Sequence, residues 1–187
     1  MLFARVHAAL RRVFALTPTA YKFLEIGIAN GPMSQAEIAI GDTRGNRIIL
    51  PHATWTAFVE KRIDIERLVW LSLMILDLVI KLVKIRDVDN VKLSLCDKCM
   101  YIKPSTILFM PELEQCVERA YFDLCQYTNI VSDKFDYIVS YLRQNCIMNK
   151  LEAVNTLRKI YDKHSGIACE LIMYASDNIV YNALHEK

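Results

Sequence analysis

The stretch RIILPHATWTAFVEKRIDIER at positions 47–67 decides how the front of this chain is read. An apolar segment ends at Pro51, and from Thr54 the residues Trp55, Phe58, Val59, Ile63 and Leu68 recur at helical spacing, so a strand runs into a helix. A second stretch, TILFMPELEQCVERAYFDL at 106–124, carries the same order. With Ile49-Leu50 laid over Ile107-Leu108, Trp55 falls on Leu113, Phe58 on Cys116 and Val59-Glu60-Lys61 on Val117-Glu118-Arg119, a constant offset of 58 (113 − 55). In this alignment 106–110 is a strand. Pro111 with Glu112 and Glu114 then opens the second helix, because proline needs no donor there and acids favour the positive end of the helix dipole. A repeat this small does not bury its apolar face alone, so two copies packed through their helices would share one core.

Outward from these stretches, alternation takes over. Leu24, Ile26 and Ile28 alternate with Tyr21, Phe23 and Glu25, the period of a half-buried strand over 21–28. After the turn residues Asn30-Gly31-Pro32, the residues Ala36, Ile38 and Ile40 repeat the pattern, and 41–46 is a loop rich in turn formers. In the second half Val91, Leu93 and Leu95 alternate with Lys92 and Ser94, and Met100 and Ile102 with Cys99, Tyr101 and Lys103. The run LVWLSLMILDLVIKLV at 68–83 reads as a continuation of the first helix. Its uninterrupted part is shorter than the ~20 residues a bilayer needs, and Asp77 and Lys81 stand near its middle at the i, i+4 spacing of a helical ion pair. It is expected to be a core helix, or one packed on a second protomer, and not a transmembrane span.

Residues 1–24 hold Arg5, Arg11, Arg12 and Lys22 and no acid. Leu2, Val6, Leu10, Val13 and Leu16 would form one face of a helix stopping before Pro18. A docked terminal helix, a mitochondrial transit segment, a membrane-surface anchor and a basic arm on phosphate all fit that composition. At the other end, Ser132-Asp133 and Asn149 with Glu152 read as caps and Gly166 as a break, giving helices over 133–146, 150–163 and 167–184. The chain is thus expected to be α+β. A basic N-terminal helix (1–18) precedes two small antiparallel-sheet-plus-helix units (19–85 and 86–128), packed through their helices as an internal pseudo-dimer, and a helical region (129–187) follows.

At 187 residues and 53% apolar character the chain can build one sizeable core, and a net charge of +2 gives no global field for a polyanion. Any nucleic-acid site must be local. Cys96, Cys99, Cys116, Cys125, Cys146 and Cys169 are scattered through apolar stretches, which suits a reducing compartment. Cys96-Asp97-Lys98-Cys99 has metal-ligand spacing, but a structural zinc needs four ligands and no second pair exists; His164 and Cys169 are distant, so a hairpin turn is the better reading and no cofactor is expected. His7, His52, His164 and His185 are isolated, and the chain has no Gly-rich phosphate loop or nucleophile elbow. It reads as a non-enzyme.

Residues 47–69 resemble the last strand and helix of the positive-cofactor-four family of single-stranded-DNA-binding transcriptional coactivators. A strand, a short polar break, a helix-borne Trp55 and the segment Ile63-Asp64-Ile65 recur in that order. The strands at 21–28 and 36–40 and the loop Thr43-Arg44-Gly45 are similar in arrangement, so the resemblance covers 21–69 best and 91–124 weakly. It implies single-stranded nucleic-acid binding by a curved sheet backed by a helix, with units paired through helices. Arg44 and Arg47 match the basic residues flanking the family's last-strand turn, whereas the dense Lys and Arg decoration of its early strands is missing here. Lys22, beside Tyr21 and Phe23, together with Lys92, Tyr101 and Lys103, completes the candidate set for phosphate and base contact.

Two functions follow as expectations. The first is a non-catalytic nucleic-acid-binding protein, single-stranded DNA foremost, acting in transcription or replication at a nuclear or viral-replication site, or in mitochondria if the N-terminus is a targeting segment. The second is a structural protein that forms a homo-oligomer, or docks a protein partner, through its apolar helices and has no nucleic-acid ligand.

Overall fold

Alternating apolar residues and short turns arrange most of the front of the chain into two antiparallel sheets, each four strands in sequential order. The structure, a computed structural model, describes residues 8–29, 33–67, 72–147 and 149–160. The first sheet runs β1 (Ala8–Ala15), β2 (Lys22–Ala29), β3 (Gln35–Asp42) and β4 (Arg47–Leu50), and leads into α1 (His52–Glu60) and α2 (Arg62–Glu66). The second runs β5 (Leu73–Ile75), β6 (Leu78–Ile85), β7 (Val88–Leu95) and β8 (Lys98–Ile102). It leads into α3 (Pro104–Phe109), a 3-10 turn (Met110–Leu113) and α4 (Glu114–Cys125), after which come α5 (Thr128–Gln144) and α6 (Lys150–Ile160). The fold is α+β, as the sequence implies.

The described residues fall into two compact units. The first takes 12–26, 37–67 and 72–121. There β4 lies beside β8, α2 touches α3, α3 packs on β7 and α1 touches β5. Leu24, Ile26, Ile38, Ile40, Ile48, Leu50, Trp55 and Phe58 are all buried, so the apolar side of the first sheet and the apolar face of α1 share one interior. The second unit takes 8–11, 27–29, 33–36, 122–147 and 149–160. Phe135, Ile138, Leu142, Ala153 and Leu157 form its helical core, and the Ser34 backbone N–H donates to Ser132 Oγ at 2.9 Å.

Several expectations change. The apolar run read as helix over 68–83 is a hairpin from residue 73 onward: Leu76-Asp77 turns the chain between the paired Ile75 and Leu78, and Leu76 adopts φ +50°. Lys81 and Asp77 therefore make no helical pair; one is on a strand and the other in a turn. Both sides of β6 are largely apolar, which hides the period of two, and the turn contains no glycine to announce it. The unit boundary drawn after residue 85 falls inside the β6–β7 hairpin.

At the N-terminus, 8–15 is the outer strand β1 and not an amphipathic helix; residues 1–7 lie outside the described residues. Val13 and Phe14 suit a strand, pairing with β2 supplies the backbone partners, and the exposed Arg11 and Arg12 put charge on the sheet's border. The strand expected at 106–110 is helix and 3-10 turn, since β8 already ends at Ile102 and Pro104 sits at a helix start.

That last change moves the register in which the two sheet-and-helix segments can be compared. With β4 laid on β8, Leu50 matches Ile102 and the offset is 52 (102 − 50), not 58. Ile48 then matches Met100, Trp55 matches Ile107, Phe58 matches Met110 and Ile65 matches Val117, all buried. The helices expected over 133–146 and 150–163 appear as α5 and α6, while the one at 167–184 lies outside the described residues. No helix among the described residues is long and apolar enough to cross a membrane.

Arg86 and Asp87, at the tip of the β6–β7 hairpin, both hold positive φ (+51° and +60°), a conformation that costs non-glycine residues about 1–2 kcal/mol each. Replacing the pair by Asn-Gly (R86N/D87G) should raise stability by about 1 kcal/mol in urea unfolding. A destabilised double variant would contradict this hairpin.

Candidate nucleic-acid interface

Strand register decides what the second sheet shows to its outer side. Ile80, Leu93 and Met100 are paired across β6, β7 and β8 and are buried, as are Val91 and its partner Ile102. Residues one step along point the other way. Lys81 pairs with Lys92 and Lys92 with Tyr101, so two ammonium groups and a phenol form one row across three strands, spanning roughly 10 Å at the usual strand spacing. No acidic residue of β6, β7 or β8 shares that side, and neither lysine has a carboxylate partner among the described residues. Like charges directly opposite each other cost free energy unless an anion comes between them.

The outer side of the first sheet is built differently. Phe23 lies over Gly41 so closely that a Cβ there would stand 2.6 Å from the ring, so a larger residue would have to push the ring aside. Glu25, 1% exposed, accepts from Arg47 Nη2 at 3.0 Å, and Glu37 approaches the same nitrogen at 3.8 Å. Burial pushes the Glu37 carboxyl above its ordinary range; Arg47 opposes that shift only in part, and Glu25 adds to it. Arg47 is therefore the counter-ion of two acids inside the fold, since a carboxylate at this depth without it would cost about 3–5 kcal/mol.

Lys22 is paired in the same way. Its Nζ lies 3.0 Å from Asp42 Oδ2, and the side chain is almost wholly buried. Asp42 also accepts from the backbone N–H groups of Arg44 and Asn46 at 3.0 Å each and from Asn46 Nδ2 at 2.9 Å. These bonds, with Gly45 at φ +90°, shape the β3–β4 loop and hold Arg44 out in solvent. There the Arg44 guanidinium sits 5.8 Å from the Tyr21 ring centre, within cation–π reach.

Loop and second sheet meet in a cleft of about 360 Å³ lined by Tyr21, Lys22, Asp42, Arg44 and Asn46 from the first sheet and its loop and by Cys99, Met100 and Tyr101 from β8. Tyr21 also borders a shallower hollow of about 670 Å³ that includes Lys103, Ser105 and Phe109. Of the residues expected to contact nucleic acid, Arg44, Lys92, Tyr101 and Lys103 are thus grouped around one accessible surface, whereas Lys22 and Arg47 are each bonded to a buried carboxylate. Lys81, Asn46 and Phe109 were missed; the helical reading of 68–83 concealed Lys81, and no local pattern marks the other two.

Cys96-Asp97 is the tight turn between the paired Leu95 and Lys98, with Cys96 at φ +52°. Cys99 is an exposed free thiol in the cleft wall. Among the described residues no cluster of three or more His, Cys, Asp or Glu side chains could hold a metal ion. Comparison with protein-family models, with curated proteins and with solved structures finds no match for this chain.

Burial alone would push the Asp42 carboxyl up, but hydrogen bonds from Asn46 and Lys22 outweigh it and hold the group below its ordinary value. A folded-state pKa below the unfolded one contributes stability above the unfolded value, and that stability is lost as pH falls through the folded value. Asp42→Asn should therefore lower stability by about 1–3 kcal/mol at pH 7 in denaturant titrations. The gap from wild type should close as the pH drops below about 4; a gap that stays constant with pH would contradict the assignment.

Proposed function

We propose that this chain is a non-catalytic single-stranded nucleic-acid-binding protein, with DNA the first candidate, acting in transcription or replication. The observation that carries the reading is the acid-free outer side of the second sheet, where the Lys81–Lys92–Tyr101 row leads into the cleft walled by Tyr21 and Arg44. Cations spaced along a sheet follow phosphates, and aromatic faces accept unstacked bases, each worth about 1–3 kcal/mol. A duplex keeps its bases stacked and offers those rings nothing.

The expected kinship with the positive-cofactor-four family enters on the same footing. Two sheet-and-helix halves in one chain, with α2 touching α3, support an internal pair in place of two protomers. A nuclear or viral-replication setting goes with that role. The second reading, a scaffold that oligomerises through its helices, draws on the exposed Ile130 and Tyr137 of α5.

Fluorescence anisotropy with a labelled single-stranded oligonucleotide, measured across a salt series, separates the two. Lys81→Gln with Lys92→Gln should weaken binding at low salt about tenfold or more and make the log–log salt slope shallower by about 1.4, at roughly 0.7 for each phosphate no longer neutralised. Tyr101→Ala should cost about 1–3 kcal/mol of affinity with the slope unchanged. Affinity and slope that survive the double lysine change would remove the proposal.

A further inference from the structure

We infer that the cleft between the β3–β4 loop and β8 is a subsite for one unstacked nucleobase, and that it selects bases carrying an exocyclic amine over thymine and uracil. This rests on the nucleic-acid reading and sharpens it. The Asn46 side chain is exposed and lines the cleft. Its Nδ2 donates to Asp42 Oδ2 at 2.9 Å. A carboxylate only accepts, so the amide cannot be turned over, and Asn46 Oδ1 is fixed as an acceptor. That oxygen has no protein donor among the described residues.

The neighbouring carboxylate does not compete for a base. Asp42 already accepts four hydrogen bonds, two on each oxygen, so the free acceptor facing a ligand is the Asn46 carbonyl. Tyr101 lines the same cleft as a stacking partner, while the Arg44 guanidinium, held near the Tyr21 ring, offers a flat cation for the base or its phosphate. Cytosine, adenine and guanine can each donate an exocyclic N–H to a carbonyl oxygen. Thymine and uracil present carbonyl oxygens on either side of their single ring N–H, and these oppose Asn46 Oδ1. The cleft therefore sorts bases by hydrogen-bond polarity, while the lysine row is indifferent to sequence.

Oligodeoxycytidylate and oligodeoxyuridylate of equal length test this cleanly, because the two pyrimidines differ in the group at C4, amine against carbonyl. Wild-type protein should bind the cytidine strand about three- to tenfold more tightly at fixed salt, the worth of one ordinary hydrogen bond. Asn46→Ala should bring the ratio close to one while the salt slope stays as in wild type. A merely structural role for Asn46 would weaken both strands together and leave the ratio intact, which would overturn the inference.

A second readout uses unmodified protein. The cytidine strand should slow alkylation of Cys99, in the cleft wall, and leave the exposed Cys116 of α4 unaffected, as read by peptide mass spectrometry. Equal affinity for the two strands, or an unprotected Cys99 in the bound state, would overturn the subsite and leave nucleic-acid binding standing. Absence of binding to either strand would overturn both.

Discussion

The Asp42 carboxylate is the contact on which the accessible side of the first unit depends. It gathers the Lys22 ammonium, two backbone N–H groups and the Asn46 amide, and so closes the β3–β4 loop on the start of β2. Everything the loop offers to solvent follows from that closure. Arg44 is held over Tyr21, and Asn46 has one orientation open to it. Without the carboxylate the buried ammonium of Lys22 would lack its counter-ion, a state costly enough to expel the side chain from the interior.

The two sheets have one topology and opposite surface chemistry. In the first, Arg47 is enclosed by Glu25 and Glu37, so charge is cancelled within the fold. In the second, Lys81 and Lys92 face each other with no acid on their side. At an offset of 52 residues buried positions of the two segments coincide, Leu50 with Ile102 and Phe58 with Met110 among them, while the outward positions differ. Packing constrains an inward position through its volume, whereas an outward position answers only to solvent and ligand.

The sequence was legible where one side of an element is polar. β2, β3, β7 and β8 show their period directly, and β4 stops at a proline that also opens α1. It misled where both sides are apolar, as in β6, and where a turn is made by Leu76-Asp77 instead of glycine or asparagine. It misled again at β1, whose partner strand is supplied by tertiary structure and not by its own pattern. Arg44 and Tyr101 could be picked out as exposed cleft residues because a loop and a clear alternation display them. Lys22 and Arg47 could not be set aside, because the acids that claim them stand 20 and 22 residues away along the chain. Single-sequence reasoning sees a cation and not its distant counter-ion.

The facing lysines give the protein an uneven response to its medium. At an exposed surface, mobile ions shorten the reach of the repulsion between Lys81 and Lys92, with a Debye length of about 10 Å at 0.1 M. The pairs of Lys22 with Asp42 and of Arg47 with Glu25 are sheltered from solvent and are screened far less. Rising ionic strength thus eases the repulsion across one sheet and leaves the buried ion pairs of the other nearly untouched, so two sheets of like topology answer differently to the electrolyte around them.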